Sequence, residues 1–151
     1  MILIAYDGSA SASHAITAAG EILGHGPATV VHVWDPPANF LPADPYGGLT
    51  TWSPEQVQEL ESVARDRANR IVEEGVTLAR KVGFAADGRL ERAIAAPWRA
   101  ILEVADEVDA QLIVVGARGL PAVESVMLGA VSNAVVHHTH RPVLVIPKLS
   151  R

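Results

Sequence analysis

Two glycine clusters near the C-terminal end of this 151-residue chain carry the clearest chemical signal: Gly116-Ala117-Arg118-Gly119 and, nine residues later, Gly129-Ala130-Val131-Ser132. The first follows the apolar run Leu112 to Val115, and the second opens a helix-like apolar pattern. A glycine-rich turn between a strand and a helix lets backbone amides approach phosphate oxygens closely, and a helix N-terminus adds partial positive charge. Gly-x-x-Gly alone is equally consistent with two tight turns. The preceding strand, the third glycine ten residues on and Ser132 at the next helix start favour a phosphate cradle. No Gly-Lys-Ser/Thr follows, which excludes a Walker loop. The first strand ends in Asp7-Gly8-Ser9 without a three-glycine cluster, which excludes the dinucleotide fingerprint.

Other chemistry-bearing residues are fewer. Asp7 is placed either to cap the first helix, in competition with Ser9, or to border a ligand at a strand tip. The Arg118 fork suits phosphate or a solvated loop equally well. His137, His138 and His140 invite a metal reading, but adjacent helical side chains diverge by about 100° and do not chelate one ion. They fit better as donors at a helix C-terminus. Ser9, Ser11 and Ser13 lie near His14 with no nucleophile elbow, so a serine hydrolase is not expected. Trp34, Trp52 and Trp98 are scattered and read as packing residues. No catalytic set and no metal-ligand set emerges.

The elements that must position these residues follow from periodicity. Short apolar runs at 1–6, 29–34, 112–115 and 142–146 predict strands, with a third strand at 84–92 interrupted by Asp87-Gly88. Helical spacing recurs from Ala15 to Leu23, from Val57 to about Gly83, from Pro97 to Val108 and from Glu124 to His138. Ser53-Pro54-Glu55-Gln56 supplies a cap and a first-turn proline. Residues 35–53, with Pro36, Pro37, Pro42, Pro45, Gly47 and Gly48, predict a long exposed loop. Strands alternating with helices predict a single α/β domain over 1–151, built on a parallel sheet with helices on both faces. Such sheets bind ligands beyond the C-terminal ends of their strands, where strand order reverses. If the first and fourth strands are neighbours, Asp7 and Gly116 meet there, as in an adenine-nucleotide site.

Composition bounds the alternatives. An apolar fraction of 49 % with 19 % charged residues is globular. A chain of this length buries roughly two-thirds of its unfolded surface. A net charge of −5 disfavours nucleic acid as a partner. No run approaches the ~20 apolar residues of a membrane span, and Met1-Ile2-Leu3-Ile4 lacks the basic region of a signal peptide. The absence of cysteine agrees with a cytoplasmic protein and removes thiol chemistry.

In Asp7-Gly8-Ser9, His32-Val33, Gly116-x-x-Gly119-x9-Gly129-Ala130-Val131-Ser132, His137-His138 and Pro142-Val-Leu-Val-Ile146, the chain resembles the universal stress protein family over essentially its whole length. The resemblance implies a five-stranded sheet of order 3-2-1-4-5, of the adenine-nucleotide alpha hydrolase type, that binds ATP, usually with Mg²⁺ or Mn²⁺. Carried over by position, Ala5, Asp7 and Val33 border adenine and ribose. Gly116, Arg118 and Gly119 contact ribose and phosphates, and Gly129, Ala130, Val131 and Ser132 cradle the phosphates. It also implies a homodimer in which the strand 143–146 pairs antiparallel with its twin, which would protect an apolar edge. The function implied is a non-catalytic regulator in a stress response. The alternatives are a slow ATPase or nucleotidyl-transfer enzyme, and a nucleotide-free member acting through its dimer surface. One departure stands out: Ala130 replaces the Ser or Thr usual after the third glycine. Losing one hydroxyl donor costs ~0.5–1.5 kcal/mol, or about tenfold in affinity, so weakened or retained binding is expected, not abolition.

Overall fold

The computed structural model describes residues 1–39, 52–117 and 128–149. Five strands, β1 (Ile2–Ala5), β2 (Gly26–Trp34), β3 (Phe84–Arg92), β4 (Leu112–Gly116) and β5 (Val143–Ile146), form one parallel sheet of order β3-β2-β1-β4-β5. Four helices connect them: α1 (Ala10–Leu23), α2 (Pro54–Lys81), α3 (Pro97–Glu107) and α4 (Ala130–His138). The expected order and layering are met.

The strands read as continuous apolar runs because both faces of the sheet are covered. Side chains alternate between faces, so consecutive residues enter different cores. Ile4, Val30 and Val114 pack with Ile16 of α1 and Val72 and Val76 of α2. Leu3, Val31, Ile113 and Val115 pack with Ile101 and Val104 of α3 and Val135 of α4. Leu3, Ile4, Ile113 and Val114 are all fully buried. Each such side chain contributes roughly 1.5–3 kcal/mol. The order reverses on either side of β1: β2 lies to one side and β4 to the other. The crossover of the chain there leaves a crevice above the C-terminal ends of β1, β2 and β4.

Three boundaries differ from the sequence expectation. β2 starts at Gly26 rather than 29, because Gly26, Pro27 and Ala28 pair with Phe84, Ala85 and Ala86. β3 is unbroken: Asp87 and Gly88 pair with Thr29 and Val30. As an edge strand it tolerates an outward Asp87. At Gly88 a Cβ would lie 2.5 Å from Val72 Cγ1, so glycine there lets α2 seat on the sheet and does not signal a turn. α4 starts at Ala130 rather than 124, with Leu128 and Gly129 non-helical and 124–127 outside the described residues.

Of the segment 35–53, residues 40–51 lie outside the described residues. Its flanks are ordered by local chemistry: Pro37–Asn39 form a 3₁₀ turn, and Ser53 caps α2. The Ser53 hydroxyl accepts from Gln56 N at 3.2 Å, while Gln56 Oε1 accepts from Ser53 N at 2.9 Å, a reciprocal capping box. No described helix is long and apolar enough to cross a membrane.

Candidate functional site

A cleft of about 260 Å³ opens over the C-terminal ends of β1, β2 and β4, between the first turns of α1, α3 and α4. Eight proposed site residues fall among the described ones: Ala5, Asp7, Val33, Gly116, Gly129, Ala130, Val131 and Ser132. All eight line this cleft. Arg118 and Gly119 lie outside the described residues.

The floor is built from the ends of the ladder. The Tyr6 amide donates to the Val31 carbonyl at 2.9 Å, and β1 then leaves the sheet. Backbone groups alternate sides along a strand, so the N–H and C=O of Val33 face the β1 side as those of Val31 do. They therefore point past the end of β1 into the cleft, offering one donor and one acceptor side by side. The α1 entry is ordered by Asp7, whose Oδ1 accepts from Ser9 N at 3.0 Å. Ser9 is the helix N-cap, accepting from Ala12 N at 3.1 Å, which settles the competition between the two residues.

The glycine clusters serve different ends. At Gly116 an added Cβ would lie 2.8 Å from Ser11 Oγ and 2.9 Å from the Ser11 carbonyl oxygen. Its glycine brings α1 against the end of β4, where Ser11 Oγ donates to the Ala117 carbonyl at 2.9 Å. Gly129 is the N-cap of α4 and supplies no side-chain cap. The first backbone bond of that helix is Asn133 N to Gly129 O at 2.9 Å, so the amides of Ala130, Val131 and Ser132 have no intrahelical acceptor. Ser132 is buried and donates its hydroxyl hydrogen to the Gly116 carbonyl at 2.8 Å, joining α4 to β4. What it offers a ligand is lone pairs and its backbone amide.

Charge at the cleft is set by helix ends. The N-cap of α3 is Ala96, which also supplies no side-chain cap. None of α1, α3 and α4 carries an acidic residue in its first turn. By contrast α2, which starts away from the cleft, has both the capping box and Glu55. Three helix dipoles thus present positive ends to one crevice, a setting that favours an anion. Asp7 is the one carboxylate among the described lining residues, and no lysine or arginine is among them.

Sequence reasoning passed over His32, Ser11 and the α3 entry at Pro97 and Ile101, all of which line the cleft. His32 is buried, and its Nδ1 lies 2.9 Å from the Tyr6 carbonyl oxygen. Burial pushes its pKa below the ordinary 6.5, with the Tyr6 bond opposing that shift. The pairing of His32 with Val33 in sequence was the available signal. Tyr6 sits behind it, donating to Glu74 Oε1 at 2.6 Å. Its phenol is pushed above the usual range by burial first, then by Glu74.

The remaining candidates are engaged elsewhere. Ser13 Oγ donates to the Ser9 carbonyl. His137 and His138 sit in the last turn of α4. The His138 ring stacks on Trp98 at 4.3 Å. Trp34 is buried, whereas Trp52 is 48 % exposed, so packing does not account for Trp52. Among the described residues, no group of three or more His, Cys, Asp or Glu is placed to hold a metal.

The model of the universal stress protein family matches residues 1–147. The chain belongs to that family. A universal stress protein of Thermus aquaticus is 35 % identical over 147 residues, covering 96 % of each chain. Among solved structures, a universal stress protein from Archaeoglobus fulgidus matches with TM-score 0.66 and 28 % identity over 96 % of each chain. A structure of the universal stress protein from the same organism in complex with dAMP matches at TM-score 0.60 and 27 % identity, over 96 % of this chain and 95 % of that one. Universal stress proteins thus share with this chain the sheet order and layering described above.

Proposed function

We propose that the cleft binds an adenine nucleotide, ATP with Mg²⁺ or Mn²⁺ in the fuller form, and that the protein acts as a cytoplasmic, non-catalytic homodimeric regulator in a stress response. One observation carries the reading: two helix N-termini without side-chain caps, those of α3 and α4, face the same cleft as the exposed backbone edge of Val33. Uncapped amides suit phosphate oxygens. A paired donor and acceptor on Val33 suits the edge of a purine base. The relative whose structure is a complex with dAMP supports an adenine nucleotide as the ligand. A magnesium ion held mainly by phosphates needs only one or two carboxylates, and Asp7 is the carboxylate among the described residues that line the cleft. Ser9, Ser11 and Ser13 are each held by a backbone partner, which supports binding without turnover.

Calorimetric titration with ATP and with AMP, each with and without Mg²⁺, tests the reading. Saturable binding is expected. No heat with either nucleotide at about 1 mM, a binding free energy weaker than ~4 kcal/mol, refutes it. Phosphate release well above the buffer background refutes the non-catalytic part and favours the slow ATPase.

A further inference from the structure

His32 has two ring nitrogens and the fold uses one. Nδ1 lies 2.9 Å from the Tyr6 carbonyl oxygen. A carbonyl only accepts, so Nδ1 carries the hydrogen, and in the neutral ring Nε2 is a bare acceptor. The residue is 9 % exposed. Among the described residues Nε2 has no hydrogen-bond partner, and it is not among the polar atoms sealed from solvent. His32 is among the residues that line the cleft, next in sequence to Val33. Holding the Tyr6 carbonyl requires only a donor. A second nitrogen in a mostly buried ring with no protein partner among the described residues gains when something entering the cleft donates to it.

We propose that His32 Nε2 is a ligand contact that selects the nucleoside end of the bound molecule by accepting a hydrogen bond from it. The donor is the exocyclic amine of the base or a ribose hydroxyl. A phosphate oxygen is itself an acceptor and has nothing to give this nitrogen, so the contact complements the helix N-termini that serve the anion. Neutrality of the ring, favoured by its burial, keeps the lone pair available. The inference rests on the adenine-nucleotide reading above.

The test uses AMP, inosine monophosphate, 2′-deoxy-AMP and 3′-deoxy-AMP, titrated into the intact protein and into His32→Asn at pH 7.5. The asparagine amide can still donate to the Tyr6 carbonyl but ends short of the Nε2 position. AMP affinity is expected to fall about two- to tenfold in the variant, the worth of one hydrogen bond. One analogue is expected to be indifferent to the substitution. Inosine monophosphate identifies the amine as donor, and one of the deoxy compounds identifies the hydroxyl. Unchanged AMP binding, or an equal fall for all four compounds, overturns the proposal. Failure of the unsubstituted protein to bind either AMP or ATP overturns the nucleotide reading and this one with it. Should His32→Asn not fold, ¹⁵N-histidine spectra of the unsubstituted protein decide: AMP is expected to shift the His32 Nε2 resonance and leave Nδ1 in place, and an unmoved Nε2 refutes the contact.

Discussion

Ala130 is the first helical residue of α4 and lines the cleft. Its neighbour Ser132 has already given its hydroxyl hydrogen to the Gly116 carbonyl, so the donors left at the first turn of α4 are backbone amides. Restoring a hydroxyl with Ala130→Ser adds a donor at the mouth of the cradle. A gain of up to about tenfold in ATP affinity is expected, from ~0.5–1.5 kcal/mol per hydrogen bond. Equal titration curves for the two proteins would show that the hydroxyl does not reach the ligand. His32 makes a second prediction at this scale. Its folded pKa is lowered, so below the ordinary value of 6.5 the unfolded chain takes up a proton that the folded chain resists. This contribution to stability is complete above that pH and is lost as pH falls below it. Denaturant unfolding between pH 7.5 and 5 should show a smaller acid-side loss in His32→Asn than in the unsubstituted protein.

At the scale of elements, the cleft depends on how closely α1 and α4 approach the end of β4. Two hydrogen bonds hold them there: Ser11 Oγ to Ala117 O and Ser132 Oγ to Gly116 O, with Gly116 removing the side chain that would intervene. Gly116→Val should force α1 away from β4 and cost ~1–3 kcal/mol of stability by overpacking. Nucleotide affinity should fall with it, because the first turn of α1 is part of the cleft wall. A variant as stable as the parent in urea would mean that α1 yields without strain. Much of this element layer was legible in the chain. The capping residues of α2 and the proline opening α3 are local signals, and local signals survive the loss of the tertiary context. The continuity of β3 was not legible, since the meaning of Gly88 depends on Val72 of a different element.

For the whole molecule, β5 is an edge strand of the sheet, with β4 as its one neighbour among the described residues. The Pro142 and Ile146 carbonyls accept from β4 and its exit, at Ile113 N and Ala117 N. By alternation, the backbone groups of Val143 and Val145 face outward and are free to pair with a second copy. Val145→Pro therefore removes an outward N–H and leaves the β4 ladder intact. If the proposed antiparallel dimer forms through residues 143–146, sedimentation should show a dimer for the parent and a monomer for Val145→Pro. A parent that sediments as a monomer refutes the dimer.

By itself the sequence determined the fold class, the strand order through its family resemblance, and the glycine-rich half of the cleft, because these rest on periodicity and on residues close together in the chain. Tertiary structure decided what long-range contact alone can set. Gly116 is required by Ser11, more than a hundred residues earlier. The α3 N-terminus joins the site through a crossover connection. His32 becomes a neutral, fixed acceptor because the Tyr6 carbonyl and the surrounding burial make it one. Spacing along the chain carries no record of burial or of a partner's carbonyl, and those are what turn a strand histidine into a fixed acceptor.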